Sequence, residues 1–281
     1  MSAKDLGEVQ RVSRVAAVYA GALLRQAFRR VTATRLKSPR GPTEYRPDLV
    51  TRIDIASELA IARILGRSRL RAGFLSEERP AAPNASRFTW VVDPLDGTAN
   101  FASGIPYFAV SIALLEGPHL AAGTIFDPIR GELFSAVPGH GVLVNGRRPA
   151  RRPRPSLPMI LFGLGPKRRE AASALRIANT LLTTGATGLR MLGSAALDLA
   201  SVAAGRADVF FHRRLSSWDI AAGVLLVREA GGTVLLSTMD SIGSSTSNRP
   251  ALTTNFRGAL LAYRPHLPTE TAARLRAVIQ E

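Results

Sequence analysis

The feature that most constrains the fold of this chain is the segment WVVDPLDGTANF, from Trp90 to Phe101. The apolar and β-branched residues from Phe88 to Val92 predict a buried strand, and Pro94 predicts that this strand ends at Asp93. Asp93 and Asp96 stand three residues apart in a turn that contains proline and glycine, so both carboxylates can point at one spot. Two charges about 4 Å apart repel by roughly 4 kcal/mol at an effective dielectric constant of about 20. A bound cation would convert this repulsion into attraction.

The composition restricts which cation can be bound. The chain has 281 residues, no cysteine and four histidines. Disulfides, iron–sulfur clusters, zinc–thiolate sites and cysteine nucleophiles are therefore excluded, and a histidine-rich metal site is disfavoured. A metal held by oxygen ligands alone points to a hard cation such as Mg²⁺, Mn²⁺ or Ca²⁺.

The same segment has a simpler interpretation as a turn. Asp-Pro and Asp-Gly are common turn pairs, both aspartates can accept backbone N–H bonds, and Thr98 can cap a helix. In the binding interpretation, Gly97 lets the backbone approach a ligand closely, and the N–H groups of Gly97 and Thr98 at a helix start can bind phosphate oxygens. Both interpretations place a turn at the end of a buried strand.

The rest of the chain predicts a layered fold. Apolar spacing predicts helices from Val9 to Leu23 and from Ile53 to Leu65, and residues 32–47 read as a surface loop. Residues 107–144 read as an antiparallel meander. The second half alternates predicted strands (159–164, 208–212) with predicted helices (170–183, from 193, 219–230). Mixed strands and helices indicate an α/β or α+β layered architecture.

A composition break divides the chain near residue 150. Eight basic residues and no acidic residue lie between Arg147 and Arg169. We therefore expect residues 1–150 and 151–281 to form two halves of the chain. The apolar run from Ala16 to Leu24 is too short to cross a bilayer, so we expect a cytoplasmic protein with no membrane span.

The net charge favours anionic partners. The chain carries 37 basic and 21 acidic residues, for a formal charge of +16. An equally simple explanation is that the arginines are spread over the surface and solvated. Charge alone does not identify a substrate.

Five segments together resemble the inositol monophosphatase family, which belongs to the lithium-sensitive, magnesium-dependent phosphatases. In chain order they are DLVTRID (48–54), SEE (76–78), DPLDGTANF (93–101), GSAALDLASVAAGRAD (193–208), and WDIAAG (218–223) with EAGG (229–232). The resemblance implies an αβαβα sandwich with the metals between the two halves. It implies one compact catalytic unit in which residues 1–150 carry most metal ligands. It also implies a phosphomonoesterase that uses two or three Mg²⁺ ions, with Mn²⁺ as an alternative, together with lithium inhibition and a homodimer.

The resemblance implies metal ligands at particular positions. Glu77, Asp93 and the backbone carbonyl of Leu95 would hold the first ion. Asp93, Asp96 and Asp219 would surround the second. Such ions neutralise a phosphate, lower the pKa of a water and stabilise both oxygens of an in-line displacement.

The resemblance also implies roles around the phosphate. Thr98 would act with Asp54 and Glu77 to orient the attacking water. The positions implied to line phosphate and substrate are Lys37, Asp96, Gly97, Thr98, Ala195 and His212.

Several of these residues have a structural alternative. Adjacent glutamates such as Glu77 and Glu78 in a polar loop are commonly solvated. Asp54 and Asp219 both precede helical patterns, so either can be an N-cap that contributes about 1 kcal/mol.

The pattern departs from the family at the substrate side. His212 stands where the family's inositol phosphatases usually carry a glutamate that contacts ring hydroxyls. Arg213 and Arg214 follow it, so the substrate can carry a second anionic group; the alternative is a basic loop that faces solvent. The chemistry matches the family, whereas the choice of substrate is open.

The leading hypothesis is therefore a phosphatase for a small phosphorylated metabolite, either inositol 1-phosphate or a related sugar phosphate. Fructose 1,6-bisphosphate, adenosine 3′,5′-bisphosphate and histidinol phosphate are alternatives. A hypothesis from another class is a phosphatase-like scaffold whose basic face binds nucleic acid or an acidic protein. No aromatic platform lies between the arginines, which disfavours it.

Overall fold

The computed structural model describes residues 3–28, 34–37, 48–79, 86–150, 158–164, 168–183, 188–238, 252–265, 267 and 272–273. The helices are α1 (Ala3–Phe28), α2 (Arg52–Leu65), α3 (Thr98–Ala102), α4 (Arg168–Thr183), α5 (Ala195–Ala203) and α6 (Ser217–Glu229). The strands are β1 (Thr34–Lys37), β2 (Asp48–Thr51), β3 (Ala72–Ser76), β4 (Phe88–Asp96), β5 (Ala109–Glu116), β6 (His119–Asp127), β7 (Glu132–Ala136), β8 (Val142–Val144), β9 (Met159–Gly163), β10 (Gly188–Arg190), β11 (Val209–Ser216), β12 (Thr233–Thr238) and β13 (Arg257–Tyr263).

The strands form two large sheets and one hairpin. One sheet has the order β3-β4-β5-β6-β7-β8, in which β3 and β4 are parallel and the other pairs are antiparallel. The other has the order β10-β9-β11-β13-β12, with β9 parallel to both of its neighbours. The β1 and β2 strands form a separate two-stranded sheet among the described residues.

The helices cover these sheets in five layers. Helices α1 and α2 pack on one face of the six-stranded sheet, and α5 and α6 pack on its other face. Helices α5 and α6 also contact the five-stranded sheet, whose β10 and β11 strands contact α4. The order is therefore helix, sheet, helix, sheet, helix, which confirms the expected αβαβα sandwich.

Small residues allow the central helix layer to pack tightly. A Cβ on Gly223 of α6 would lie 2.5 Å from the side chain of Leu199 in α5. A Cβ on Gly123 of β6 would lie 2.9 Å from the carbonyl oxygen of Ala222. Both glycines are therefore needed where α6 is pressed between α5 and the six-stranded sheet.

Most predicted elements are confirmed, and two are wrong in part. The loop expected at residues 32–47 contains β1, whose register pairs Lys37 with Asp48; residues 38–47 lie outside the described part. The strand expected to end at Asp93 continues through Pro94 to Asp96, with an irregularity in its pairing to β5 between the two aspartates. A proline is compatible with this because the ladder is already interrupted there.

The predicted division near residue 150 falls beside residues 151–157, which are outside the described part, and it stays a prediction. Among the residues that the structure describes, no helix combines the length and hydropathy required to cross a membrane.

Candidate metal centre

The irregular end of β4 turns two carboxylates into the interior. Asp93 is 1% exposed and Asp96 is 7% exposed. The N–H of Leu95 donates to Asp93 Oδ1 over 3.0 Å, which fixes the first carboxylate on its own turn. Gly97 then caps α3 at a φ of 91°, and a Cβ there would lie 3.0 Å from the carbonyl oxygen of Tyr107. The sharp turn after Asp96 therefore requires glycine.

Asp219 reaches the same place from the second half of the chain. It lies in the first turn of α6, and its Oδ2 accepts the N–H of Ser216 over 2.7 Å in a capping box. The N-cap residue is Ser216, so the alternative that Asp219 itself is the N-cap is wrong, although Asp219 takes part in the capping box at position N3. This contact engages Oδ2, and Asp219 also faces the two β4 aspartates.

Three aspartates converge. Asp93, Asp96 and Asp219 each present a carboxylate oxygen within 4.8 Å of those of the other two. At such distances like charges repel by several kcal/mol unless a cation or protons offset them. A set of carboxylate oxygens without nitrogen or sulfur fits a hard divalent cation. The residues present therefore fit the hard cation that the composition predicts, including the Mg²⁺ that the family resemblance implies.

The pKa of Asp93 reflects a larger acidic cluster. Burial raises it well above its ordinary value, and the charges of Glu77, Asp96, Asp219 and Asp54 raise it further, in that order of size. The structure thus brings together all five acidic residues that the sequence singled out. They differ in exposure, because Asp54 is buried whereas Glu77 is exposed and lies outside the trio of aspartates.

The amino-terminal end of α5 holds Asp96. Its two oxygens accept the Ser194 hydroxyl, the Ala196 N–H at 2.9 Å and the Ala195 N–H at 3.3 Å. Burial raises the pKa of Asp96 to about 6, while these hydrogen bonds act in the lowering direction. Donors at a helix amino terminus stabilise the ionised carboxylate.

First turns of three helices contribute to the centre. Asp54 lies in the first turn of α2, Asp219 in that of α6, and the amides that bind Asp96 in that of α5. The positive ends of helix dipoles favour negative charge. They therefore offset part of the repulsion between the carboxylates.

The backbone of the Asp93–Thr98 turn is fixed by two hydroxyl groups. The Thr98 hydroxyl donates to the carbonyl oxygen of Leu95 over 2.9 Å. The Ser57 hydroxyl of α2 donates to the carbonyl oxygen of Pro94 over 2.8 Å. A carbonyl oxygen has two lone pairs, so the Leu95 oxygen keeps one acceptor position for a further ligand.

Two further predicted substrate positions, His212 and Lys37, lie in strands β11 and β1. His212 lies in β11 and pairs with Gly163 of β9, and a Cβ added to Gly163 would collide with the imidazole ring of His212. The Nδ1 of His212 accepts the N–H of Arg214 over 3.1 Å. The pairing of β11 with β13 is irregular between His212 and Leu215. Lys37 ends β1, and its side chain lies outside the described residues.

Sequence reasoning missed a group of residues that lies near Asp96. The Tyr107 hydroxyl donates to Asp198 Oδ1 of α5 over 2.8 Å, and both side chains are buried. Asn100 donates to the carbonyl oxygens of Tyr107 (2.8 Å) and Leu192 (2.7 Å), and so ties α3 to the segment that leads into α5. The available signal was Asp198, the one charged residue of the largely apolar helix α5, because a buried carboxyl group needs a partner.

Comparisons with known proteins agree with this geometry. A sequence model described as the inositol monophosphatase family matches residues 5–278. The inositol-1-monophosphatase of Mesorhizobium japonicum is 43% identical over 230 residues, which cover 80% of this chain and 83% of that protein. The Nus factor SuhB of Xylella fastidiosa is 45% identical over 192 residues, which cover 67% of this chain and 69% of that protein.

Solved structures show the same fold. The extragenic suppressor protein suhB of Bartonella henselae is 36% identical, with a TM-score of 0.79 over 96% of this chain and 98% of that one. The inositol monophosphatase of Anabaena is 32% identical, with a TM-score of 0.76 over 98% of this chain and 96% of that one.

Proposed function

Because the chain belongs to the inositol monophosphatase family, we propose that it is a metal-dependent phosphomonoesterase that hydrolyses a small sugar phosphate such as inositol 1-phosphate. Family membership and relatives with that name support the phosphatase class. The observation that carries the proposal is the convergence of Asp93, Asp96 and Asp219 within 4.8 Å. A buried group of like charges is otherwise expensive to maintain.

The ligand assignment is the one that the family resemblance implies, and the all-oxygen donor set is compatible with it. Glu77, Asp93 and the Leu95 carbonyl would hold one divalent cation, and Asp93, Asp96 and Asp219 a second. When bound, Mg²⁺ or Mn²⁺ supplies charge stabilisation to a phosphoryl group and lowers the pKa of water. The coordinating atoms are all oxygen, as Mg²⁺ prefers.

The chain's own residues orient the reaction. Thr98, Asp54 and Glu77 are proposed to position the attacking water, since Thr98 is fixed by Leu95 and the two acids lie near Asp93. Gly97 and Thr98 are proposed to line the phosphate. The N–H of Ala195 is already directed at Asp96, so its contribution to the substrate side acts through that carboxylate.

Substrate choice is proposed to depend on β11. His212, Arg213 and Arg214 occupy the irregular part of this strand, five to seven residues before Asp219. With Lys37, they are the candidates for contacts beyond the phosphate. A second anionic group on the substrate would favour fructose 1,6-bisphosphate or adenosine 3′,5′-bisphosphate over inositol 1-phosphate.

A phosphate-release screen tests the proposal. Inositol 1-phosphate, fructose 1,6-bisphosphate, adenosine 3′,5′-bisphosphate and histidinol phosphate are each incubated with the protein, with and without Mg²⁺. We expect Mg²⁺-dependent release from at least one compound, with inositol 1-phosphate preferred. Release from none of them with either Mg²⁺ or Mn²⁺ contradicts the proposal.

A second candidate function is a binding role. It is favoured by the relatives named Nus factor SuhB and by the net charge of +16. Arg147 and Arg148 are exposed, whereas residues 151–157 and the side chains of Arg168 and Arg169 lie outside the described part. Binding to single-stranded RNA should be measured at about 50 and 200 mM salt, because phosphate contacts weaken steeply with salt. Tight binding at the higher salt with no ester hydrolysis would reverse the ranking.

Three further expectations stay predictions. They are the homodimer, lithium inhibition and a cytoplasmic location. We also propose that residues 1–150 and 151–281 act as one catalytic unit, because Asp93 and Asp219 come from different halves of the chain yet meet at one centre.

A further inference from the structure

We propose that Glu58 is a positioning residue that fixes the turn carrying Glu77, and that it thereby sets the affinity of the centre for its first divalent cation. This inference rests on the proposed function, because it assigns a supporting residue to the same centre. It concerns a carboxylate that takes no part in the acidic cluster itself.

Glu58 closes a ring of hydrogen bonds around the turn. Its Oε2 accepts the hydroxyl of Ser76, and its Oε1 accepts Arg79 Nε over 2.7 Å. The backbone N–H of Arg79 donates to the Ser76 hydroxyl oxygen over 3.3 Å. One carboxylate therefore holds both ends of a four-residue turn that contains Glu77.

The residues of this turn differ in burial from the two groups beneath it. Glu77 and Arg79 are exposed and Glu78 is half-buried, whereas Ser76 and Glu58 are each 1% exposed. An exposed acidic side chain on an exposed turn gains little from packing, so its position depends on how the backbone is anchored. The anchor lies beneath the turn, in α2.

Helix α2 links this turn to the rest of the centre. Asp54 and Glu58 are four residues apart and lie on one face of the helix, and both are buried. Ser57, between them, donates to the Pro94 carbonyl in the strand end that carries Asp93. A single helix therefore contributes Asp54, fixes the Asp93 turn through Ser57 and fixes the Glu77 turn through Glu58.

The alternative is that Glu58 only stabilises the fold. A buried ion pair is weak evidence for stability, since desolvation opposes the attraction between the charges. Groups that orient a metal ligand typically change metal affinity by about 10–100-fold when they are replaced. The two roles therefore predict different results for metal binding by the folded protein.

The experiment measures Mn²⁺ binding by calorimetry on the metal-free full chain, together with the melting temperature of each variant. The variants are Glu58→Gln, Ser76→Ala and Arg79→Ala. The matched control is Asp208→Asn. Asp208 is also a buried carboxylate that is paired with an arginine, Arg264, and it accepts the Met159 N–H over 2.7 Å.

We expect Glu58→Gln to weaken binding of the tighter Mn²⁺ ion by about tenfold, with smaller effects for Ser76→Ala and Arg79→Ala. Asp208→Asn should lower the melting temperature and leave Mn²⁺ affinity unchanged. Wild-type Mn²⁺ affinity in folded Glu58→Gln and Ser76→Ala proteins overturns the inference. Ser76→Ala keeps the test decisive if Glu58→Gln does not fold, because it removes only a hydroxyl.

These outcomes are separable from the proposed phosphatase activity. If no phosphate ester is hydrolysed and the Mn²⁺ affinities still fall as expected, the proposed function fails and the inference about Glu58 stands. If esters are hydrolysed and the Glu58 variants bind Mn²⁺ normally, the reverse holds.

Discussion

Two acidic segments meet at the candidate metal centre and are built in opposite ways. Asp93 and Asp96 end a buried strand, where burial is the largest cause of their raised pKa values. Glu77 lies exposed on a short turn and acts on Asp93 as a neighbouring charge. Burial itself creates the need for a cation in the first segment. In the second segment the side chain of Glu77 is exposed, so the fold has to hold it in position.

The supports of the two segments differ accordingly. Asp96 is held by a hydroxyl and two backbone amides of α5, which favour its ionised form. The Glu77 turn is held by Glu58, whose carboxylate accepts hydrogen bonds from Ser76 and Arg79. Removing a buried acid should therefore change both stability and catalysis. Removing the exposed acid should change only metal binding and catalysis.

The substitution Asp93→Asn should have the largest effect. Mg²⁺-dependent phosphate release should fall by roughly 10³-fold or more, because loss of several kcal/mol of charge stabilisation has that consequence. At pH 7.5 the metal-free variant should melt above the metal-free wild type, since burial of the Asp93 carboxyl requires either uptake of a proton or a buried charge, and asparagine requires neither. Phosphate release and differential scanning calorimetry measure the two effects. Near-normal turnover in this variant would refute the assignment of Asp93.

The substitution Glu77→Gln should have a smaller effect. We expect the Mg²⁺ concentration for half-maximal phosphate release to rise by about 10–100-fold. The melting temperature of the metal-free protein should stay within about 1 °C of the wild type, because exposed substitutions change stability little. A rise in melting temperature like that of Asp93→Asn would remove the distinction between the two segments. Asp208→Asn serves as the control for unrelated loss of a carboxylate.

Local rules in the sequence account for much of this centre. The apolar run before Asp93, the glycine after Asp96 and the helical pattern after Asp54 each predicted an element at the correct place. The family motifs then brought Glu77 and Asp219 to the same centre, which spacing alone does not do.

Other parts depended on tertiary contacts and were not predictable in this way. The strand β4 continues beyond Pro94 because its pairing with β5 resumes at Asp96 after an irregularity. The roles of Glu58 and Ser194 arise from partners 18 and 98 residues away. No local periodicity encodes such distances. The β1 strand was missed because four residues with two basic side chains give no alternating apolar signal.

The pH dependence of stability should separate the buried segment from the exposed one. The native pKa of Asp96 is about 6 against an ordinary value of 3.8, so the native state binds this proton more tightly than the unfolded state. Its stabilising contribution is complete below about pH 4 and is lost as the pH rises through about 6, and Asp93 acts in the same direction. The metal-free protein should therefore lose several degrees in melting temperature over this range, measured by calorimetry.

Divalent metal should reverse that loss. Adding Mg²⁺ should raise the melting temperature more at pH 7.5 than at pH 5, because protons compete for the same carboxylates. In the metal-free proteins, the pH dependence of the melting temperature of Glu77→Gln should match that of the wild type more closely than that of Asp93→Asn does. An equal Mg²⁺ effect at both pH values would mean that the buried aspartates do not bind the ion.

The smallest predicted effect concerns the hydrogen bond between Tyr107 and Asp198, which lies near Asp96. Burial raises the pKa of Asp198 to about 8, and the hydrogen bond from Tyr107 acts in the lowering direction. Tyr107→Phe removes this donor from a buried carboxyl group, so stability should fall by about 1–3 kcal/mol. Phosphate release should fall by less than about tenfold, because the α5 amides still reach Asp96.

A double-mutant cycle tests whether this contact is the cause. Asp198→Leu alone also breaks the pair, whereas Asp198→Leu combined with Tyr107→Phe removes both polar partners together. The double variant should be more stable than the sum of the single effects predicts, by about 1 kcal/mol in chemical denaturation. Strictly additive effects would show that the 2.8 Å contact contributes no coupling energy. Asp96 would then be held by Ser194 and the two amides at the start of α5. The buried segment would resemble the exposed one in this respect, because each would depend on one helix, α5 for Asp96 and α2 for the Glu77 turn.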